Sequence, residues 1–215
     1  MYTALFKFIS LFTVNKMIYL IVGSVFNIMM IDGALLITYI LIKKVFNLKM
    51  AAIFSFLSIF IVPLFAYSPI LYTDTTTMIF PMAIMLLLYN YNESKSNARA
   101  WYLIGIGMLG ALGVILKTNI IIALVAVIIY IVCTNKIMKS LINNIIIILS
   151  FLVIFSFYKV IANYVMPIDY NEAGLPMTHW VMMGLKNNGA FNADDVEFTK
   201  SFNDKEKAKE ANIDE

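Results

Sequence analysis

Residues 101–133 read WYLIGIGMLGALGVILKTNIIIALVAVIIYIVC, with Lys117 at the midpoint. Apart from the tyrosine phenols and the thiol of Cys133, that lysine is the only ionisable side chain in the stretch. A cation at the centre of a bilayer costs on the order of 3 kcal/mol on insertion scales, so it is ordinarily paired or faces a cavity. As one helix the stretch would be about 50 Å long, against a hydrocarbon core of about 30 Å. As two half-length helices meeting near Lys117, Thr118 and Asn119, each would be about 24 Å long. The fold depends on which of these is right.

The cations elsewhere in the chain decide it. Six apolar segments are readable, at 18–42, 50–66, 75–91, 101–116, 118–133 and 141–162. If 101–133 is a hairpin, the loops 43–49, 92–100 and 134–140 fall on one side of the membrane. They carry Lys43, Lys44, Lys49, Lys95, Arg99, Lys136 and Lys139. The opposite side then has no cation in loop 67–74 and only Lys117 at the hairpin apex. A single long helix would move Lys136 and Lys139 across. Cytoplasmic loops concentrate Lys and Arg, so the hairpin is preferred. The three cation-bearing loops are then cytoplasmic. The N-terminus, loop 67–74, the Lys117 apex and residues 163–215 are extracytoplasmic.

Composition agrees with a membrane protein. The chain is 61% hydrophobic and 13% charged, far from an ordinary soluble domain. Its net charge of +3 hides a division: residues 1–161 balance to +8 and residues 162–215 to −5. The expected fold is all-α, a polytopic transmembrane helical bundle with a small polar tail. Residues 1–162 form the membrane domain and 163–215 the extracytoplasmic segment. Residues 2–14 read as a short interfacial helix, and the start lacks the basic residues and cleavage site of a signal peptide. Met166-Pro167 ends the last span, Asn188-Gly189 reads as a turn, and Asn192 reads as an N-cap before Asp194 and Asp195. The charged C-terminal helix has no cap, which suggests a fragment of a longer protein. Abundant Ile, Asn and Lys with a single arginine, Arg99, point to AT-rich bacterial coding sequence.

Some chemistries are excluded. One cysteine and one histidine, Cys133 and His179, argue against a His/Cys metal site, and no metal ligand set is assigned. Asp194, Asp195 and Glu197 lack calcium-loop spacing. No phosphate-binding glycine loop, nucleophile elbow or basic aromatic patch is present, which removes nucleotide hydrolysis and nucleic-acid binding.

The polar residues that remain are few. Lys117 reads as a ligand for an anion at membrane depth, for which a lipid phosphate is the natural candidate, or as a lysine that snorkels from a turn. Thr118 and Asn119 add hydrogen-bond donors beside it. Gly105, Gly107, Gly110 and Gly113 thin the preceding helix and permit close packing. Asp74, in YSPILYTDTTT (67–77), reads as a general base or sugar ligand, or as a helix cap. Tyr67 and Tyr72 beside it read as aromatic-belt residues. Asp32 falls in mid-span, either protonated between helices or lining a polar pathway. Lys159 can snorkel from the end of the last span. His179, beside Trp180 in LPMTHWVMMGL (175–185), reads as part of an interfacial helix or as an acid/base that contacts substrate.

Three segments together resemble membrane glycosyltransferases of the C-type fold, in the branch of the dolichyl-phosphate-mannose protein mannosyltransferases and aminoarabinose transferases. They are the span ending ILIKKVFN (40–47), SPILYTD (68–74) before a span ending LLLYNY (86–91), and LGALGVILKTN (109–119). The tail stretch PMTHWVMMGL (176–185) is also similar to the exported segment of Gram-positive members. The resemblance implies a transferase that takes a sugar from a polyprenyl-phosphate donor on the outer face, with membrane lipids and the lipid-linked sugar as partners. It implies that Lys117 contacts the carrier phosphate and that an acid near Asp74 helps arrange the site. It implies no definite cofactor and leaves a divalent metal open. The chain departs from the family in one respect. The family's main acidic motif lies in a first outer loop, and residues 1–17 supply no Asp or Glu. The expected catalytic base is therefore missing from this stretch. Two other readings stand beside the transferase: a transporter or lipid flippase working through Asp32, and a non-catalytic membrane scaffold.

Overall fold

The computed structural model describes residue 10 and residues 15–70, 72–94, 98–165, 175–186, 189–202 and 204–214. The expected interfacial helix at 2–14 and the Met166-Pro167 stop lie outside the described residues. All regular structure among the described residues is helical, in agreement with the expected all-α class. The chain divides into two compact units, Met1–Lys159 and Val160–Glu215.

In the first unit, α1 spans Lys16–Val45, α2 Leu48–Ser58 and α3 Val62–Ala66. After them come α4 (Thr73–Thr77), α5 (Ile79–Glu93) and α6 (Ala98–Leu116). A short 3-10 turn at Thr118–Ile120 leads into α7 (Ile121–Thr134), and α8 spans Ile137–Val165, of which the residues to Lys159 belong to this unit. Three stretches are long and apolar enough to cross a membrane as single helices: Lys16–Val45, Ala98–Leu116 and Ile137–Ala162. The other three apolar segments form shorter helices, and two of them, 50–66 and 75–91, are interrupted. Proline explains both interruptions. Pro63 has no N–H to donate to the carbonyl of Ile59 four residues back, and α2 ends at Ser58 with Ile59 as its C-cap. Pro81 likewise leaves the carbonyl of Thr77 without its helical donor; α4 ends at Thr77, and Met78 is the joint to α5. Asn15 and Asn47 cap α1 and α2, accepting from Met17 N and Met50 N at 3.0 Å each.

The hairpin break falls where the charge pattern put it. Lys117 has extended backbone (φ −152, ψ 118) between the end of α6 and the 3-10 turn. Its N–H still donates to Gly113 O at 2.8 Å, and its carbonyl accepts from Ile120 N at 3.1 Å. The glycines of α6 each admit a different neighbour. A Cβ on Gly105 would meet Leu87 of α5 at 2.9 Å. On Gly107 it would run into the Ser150 hydroxyl and the Ile147 carbonyl of α8. On Gly110 it would meet Leu124 of α7 at 2.8 Å, and on Gly113 Ile120 at 2.6 Å.

The core of this unit lies where α5, α6, α7 and α8 meet. Phe80, Ile84, Leu88 and Tyr91 follow one face of α5, and Leu103 and Ile106 face them from α6. Ile120, Leu124, Val127 and Ile131 complete it from the hairpin's return, with Ile147 from α8. α1 packs on α2 and α5. Many large apolar side chains point outward, among them Leu36, Ile53, Ile122 and Leu149. A bundle whose solvent is lipid leaves its outer surface apolar in this way.

The second unit contains α9 (Met177–Leu185), α10 (Ala193–Lys200) and α11 (Lys205–Asp214), packed on one another. Asn192 caps α10, accepting from Asp194 N at 3.0 Å. Gly189 adopts φ +74, the left-handed conformation that favours glycine in the turn before α10.

Candidate functional site

The two ends of the first unit differ in character. At one end Lys44 Nζ donates to Asn90 Oδ1 at 3.2 Å and Tyr89 OH to Lys44 O at 3.0 Å, joining α1 to α5. Asn92 Nδ2 donates to Tyr130 OH at 2.8 Å, bringing the end of α7 to the same place. The C-terminal ends of α1, α5 and α7 therefore gather at one end of the bundle. Lys117, loop 67–72 and Asp74 gather at the other.

At that other end, the ammonium of Lys117 is ion-paired with Oδ1 of Asp74. The two side chains are 28% and 37% exposed, so the pair is reachable from outside the bundle. Lys117 Nζ also stands 5.9 Å from the centroid of the Tyr72 ring, within cation–π range. Tyr72 stacks on Tyr67 at 5.6 Å, which joins both rings to the same end of the bundle. Asp74 lies in the first turn of α4 and is not its N-cap residue, which is Tyr72.

The helices on either side of Lys117 are longer than the half-length pair expected. α6 has 19 residues because it begins at Ala98, which makes it about 28 Å long. The 3-10 turn and α7 together are about 27 Å long. Both approach the thickness of the hydrocarbon core.

Loop 67–72 is held by a residue that sequence reading passed over. Asn27, at 0% exposure in α1, points its amide nitrogen at three carbonyls: Tyr67 at 3.1 Å, Ser68 at 3.0 Å and Ile70 at 2.9 Å. Its Oδ1 accepts from the hydroxyls of Thr75 and Thr76, each at 2.9 Å. Ser24 Oγ, one turn earlier, donates to Pro69 O at 2.8 Å. One buried amide thus fixes both the loop that presents Tyr72 and the helix that carries Asp74. The clue in the sequence was an Asn inside an apolar span followed by a Thr run at 75–77. Its meaning required knowing that the two segments meet.

The other candidates stand elsewhere. Thr118 and Asn119 are exposed in the 3-10 turn, and the Asn119 side chain makes no hydrogen bond among the described residues. Asp32 is exposed on α1 and is not sealed between helices, because its neighbour Gly33 takes the inward position against Ile79. Lys159 is exposed, 5.1 Å from the Phe155 ring. Among the described residues no three His, Cys, Asp or Glu side chains are grouped to hold a metal ion.

His179 departs most from expectation. It lies in the second unit at 0% exposure, with Nδ1 at 2.7 Å from Thr199 Oγ1. That hydroxyl also lies 3.0 Å from Asp195 O and 3.0 Å from Asn212 Oδ1. Both of those oxygens only accept, so the Thr199 hydroxyl stands at the centre of three contacts with a single proton of its own to share among them. Nε2 is buried without a hydrogen-bond partner among the described residues. A ring enclosed in this way holds α9, α10 and α11 together. His179 is thus a core residue of this unit.

Comparison with protein families matches residues 8–212 to the model described as a conserved hypothetical integral membrane protein. The chain belongs to that family and is an integral membrane protein. No curated protein and no solved structure matches it.

Proposed function

We propose that this member of the conserved hypothetical integral membrane protein family is, or forms part of, a transferase of polyprenyl-phosphate-linked sugars, with its site at the Lys117–Asp74 end of the bundle. The observation that carries the proposal is the ion pair itself. A lysine and an aspartate, both part-exposed, meet beside a tyrosine ring; on the proposed topology, with α6 and α7 each crossing the bilayer, they stand near its boundary. A lipid-borne phosphate has its charge at that depth.

The pair gives the two residues complementary tasks. An incoming phosphodiester competes with Asp74 for the Lys117 ammonium. Once the phosphate has taken the lysine, the carboxylate is released. An acceptor hydroxyl or amine attacks the anomeric carbon, and the bond from that carbon to the phosphate oxygen breaks. Polyprenyl phosphate leaves with the bonding electrons, and the acceptor's proton passes to Asp74. Lys117 stabilises the charge that grows on the leaving phosphate. Asn119, exposed next to Lys117, adds a hydrogen bond to that phosphate. On this proposal the Lys117 end is extracytoplasmic and the end with Lys43, Lys44, Lys136 and Lys139 is cytoplasmic.

Two measurements on the full chain in lipid nanodiscs test the proposal. One is binding of a polyprenyl phosphate, and the other is sugar transfer from polyprenyl-phosphate hexoses to water or added acceptors. Lys117→Ala is expected to weaken binding about tenfold or more, the loss of one charge-assisted contact. Asp74→Asn is expected to bind at least as tightly as the parent, because a competitor is gone, while losing transfer. Equal polyprenyl phosphate binding by parent and Lys117→Ala would overturn the assignment.

A further inference from the structure

The opposite end of the first unit holds a cavity of about 340 Å³ between α5, α6 and α8. Its polar lining is Tyr91, Arg99, Lys139 and Asn143, with Leu103 and Ile146 among its apolar walls. Among the described residues that line it, none is acidic. In a chain with only one arginine, that arginine is here.

The lining is built and not incidental. Arg99 Nε donates to Tyr91 O at 3.2 Å, and one Nη donates to Asn92 O at 3.5 Å. The guanidinium lies 5.2 Å from the centroid of the Tyr91 ring. These contacts fix the plane of the group and use two of its five N–H donors. Asn143 Nδ2 donates to Tyr91 OH at 2.7 Å, and both side chains are buried. Tyr91 OH, accepting there, still has its own proton to give, and Asn143 has a second N–H. Lys139 makes no ion pair among the described residues. The cavity therefore offers two cations and several unspent donors above an apolar wall, without a carboxylate to neutralise them. That is the chemistry of a site for an anion attached to something apolar.

We propose that this cavity binds a phosphate or phosphodiester group, that of an anionic lipid headgroup. The arginine fork receives two oxygens and Lys139 a further one. The acyl chains leave along the apolar helix faces. Basic pockets between membrane helices take acidic headgroups in this manner. The site is separate from the Lys117–Asp74 pair and does not depend on the transferase proposal.

The test uses the full chain in nanodiscs of phosphatidylcholine, with phosphatidylglycerol titrated in and thermal unfolding as the readout. Phosphatidylglycerol is expected to raise the unfolding temperature saturably. Lys139→Gln is expected to shift the lipid midpoint about tenfold, and so is Arg99→Gln. Arg99 also supports the end of α5, so Lys139→Gln, which breaks no contact, is the deciding variant. Lys49→Gln, a charge change at the same end but outside the cavity, is expected to leave the midpoint unchanged. Inorganic phosphate alone, without phosphatidylglycerol, separates the two sources of the group. A matching stabilisation by free phosphate would overturn the lipid assignment. Absence of any lipid-dependent stabilisation would overturn the site, as would equal midpoint shifts in Lys49→Gln and Lys139→Gln.

Discussion

Replacing Asn27 by Leu tests the architecture of the candidate site most directly. The substitution keeps the approximate volume and removes every polar contact of a fully buried amide. Five partner groups are affected, but unequally. Tyr67 O still accepts from Ile70 N at 3.1 Å, and Ile70 O from Tyr72 N at 2.8 Å. The hydroxyls of Thr75 and Thr76 can still donate to Tyr72 O, at 2.9 Å and 3.1 Å. Ser68 O alone loses its one partner among the described residues. An orphaned acceptor costs about 1–3 kcal/mol when fully buried, which bounds the half-buried Ser68 carbonyl from above, and interhelical hydrogen bonds in membranes average about 0.6 kcal/mol each. The expected loss is therefore about 2–4 kcal/mol, well short of five full hydrogen bonds. Asn27→Asp divides the effect. It keeps an acceptor for the two threonines but sets a carboxylate against three carbonyls, so it is expected to be no more stable than Asn27→Leu. Unfolding of the full chain by SDS in mixed micelles reads the energies. Maleimide labelling of Ser68→Cys in a Cys133→Ser background reads the release of the loop, which is expected to quicken when Asn27 is lost. A cost for Asn27→Leu below about 0.5 kcal/mol, within the range of ordinary surface substitutions, with unchanged labelling of residue 68, would refute the reasoning.

Two further outcomes follow from close packing and from the second unit. Gly107→Val drives a side chain into the Ser150 hydroxyl and the Ile147 carbonyl; it is expected to cost about 1–3 kcal/mol in the same SDS titration. Gly184→Ala, whose Cβ meets nothing within 4 Å, serves as the silent comparison. Thr199→Val removes the hydroxyl shared by His179, Asp195 and Asn212; it is expected to destabilise α9–α11 by about 1–3 kcal/mol, read as faster amide exchange across residues 177–214.

Much of the secondary structure is legible along the chain, because its causes are local. Apolar runs of spanning length, the cations that interrupt them and the capping residue Asn192 all act within a few residues; Asn15 and Asn47 act as locally, although the sequence reading passed over them. The break at Lys117 belongs to this class, since no single helix could place both halves of 101–133 in the membrane. The glycines of α6 announced close packing, although not that each would meet a different neighbour. Pro63 and Pro81 also act locally, each on the carbonyl four residues earlier, yet hydropathy averaged over a segment does not register them. That is why two of the apolar segments proved to be broken helices.

The site belongs to the other class. Whether Lys117 faces an anion, lipid or a carboxylate depends on how α6 and α4 are rotated and on how far loop 67–72 reaches. Those are set by packing between segments some forty residues apart, such as Asn27 with Ser68. Hydrophobic patterning marks which residues prefer lipid, but in a bundle apolar on both its inner and outer faces it cannot say which polar residue turns inward. Asn27 and Asp32 are both polar marks in one apolar helix, yet the fold buries Asn27 and leaves Asp32 exposed. His179 and Lys117 each read as a ligand, yet one closes a small helical core and the other stands part-exposed beside Asp74. The sequence by itself determined an integral membrane protein of helices with a hairpin at Lys117. Only the tertiary structure decided which of its few polar side chains meet, because each meeting depends on contacts distant along the chain.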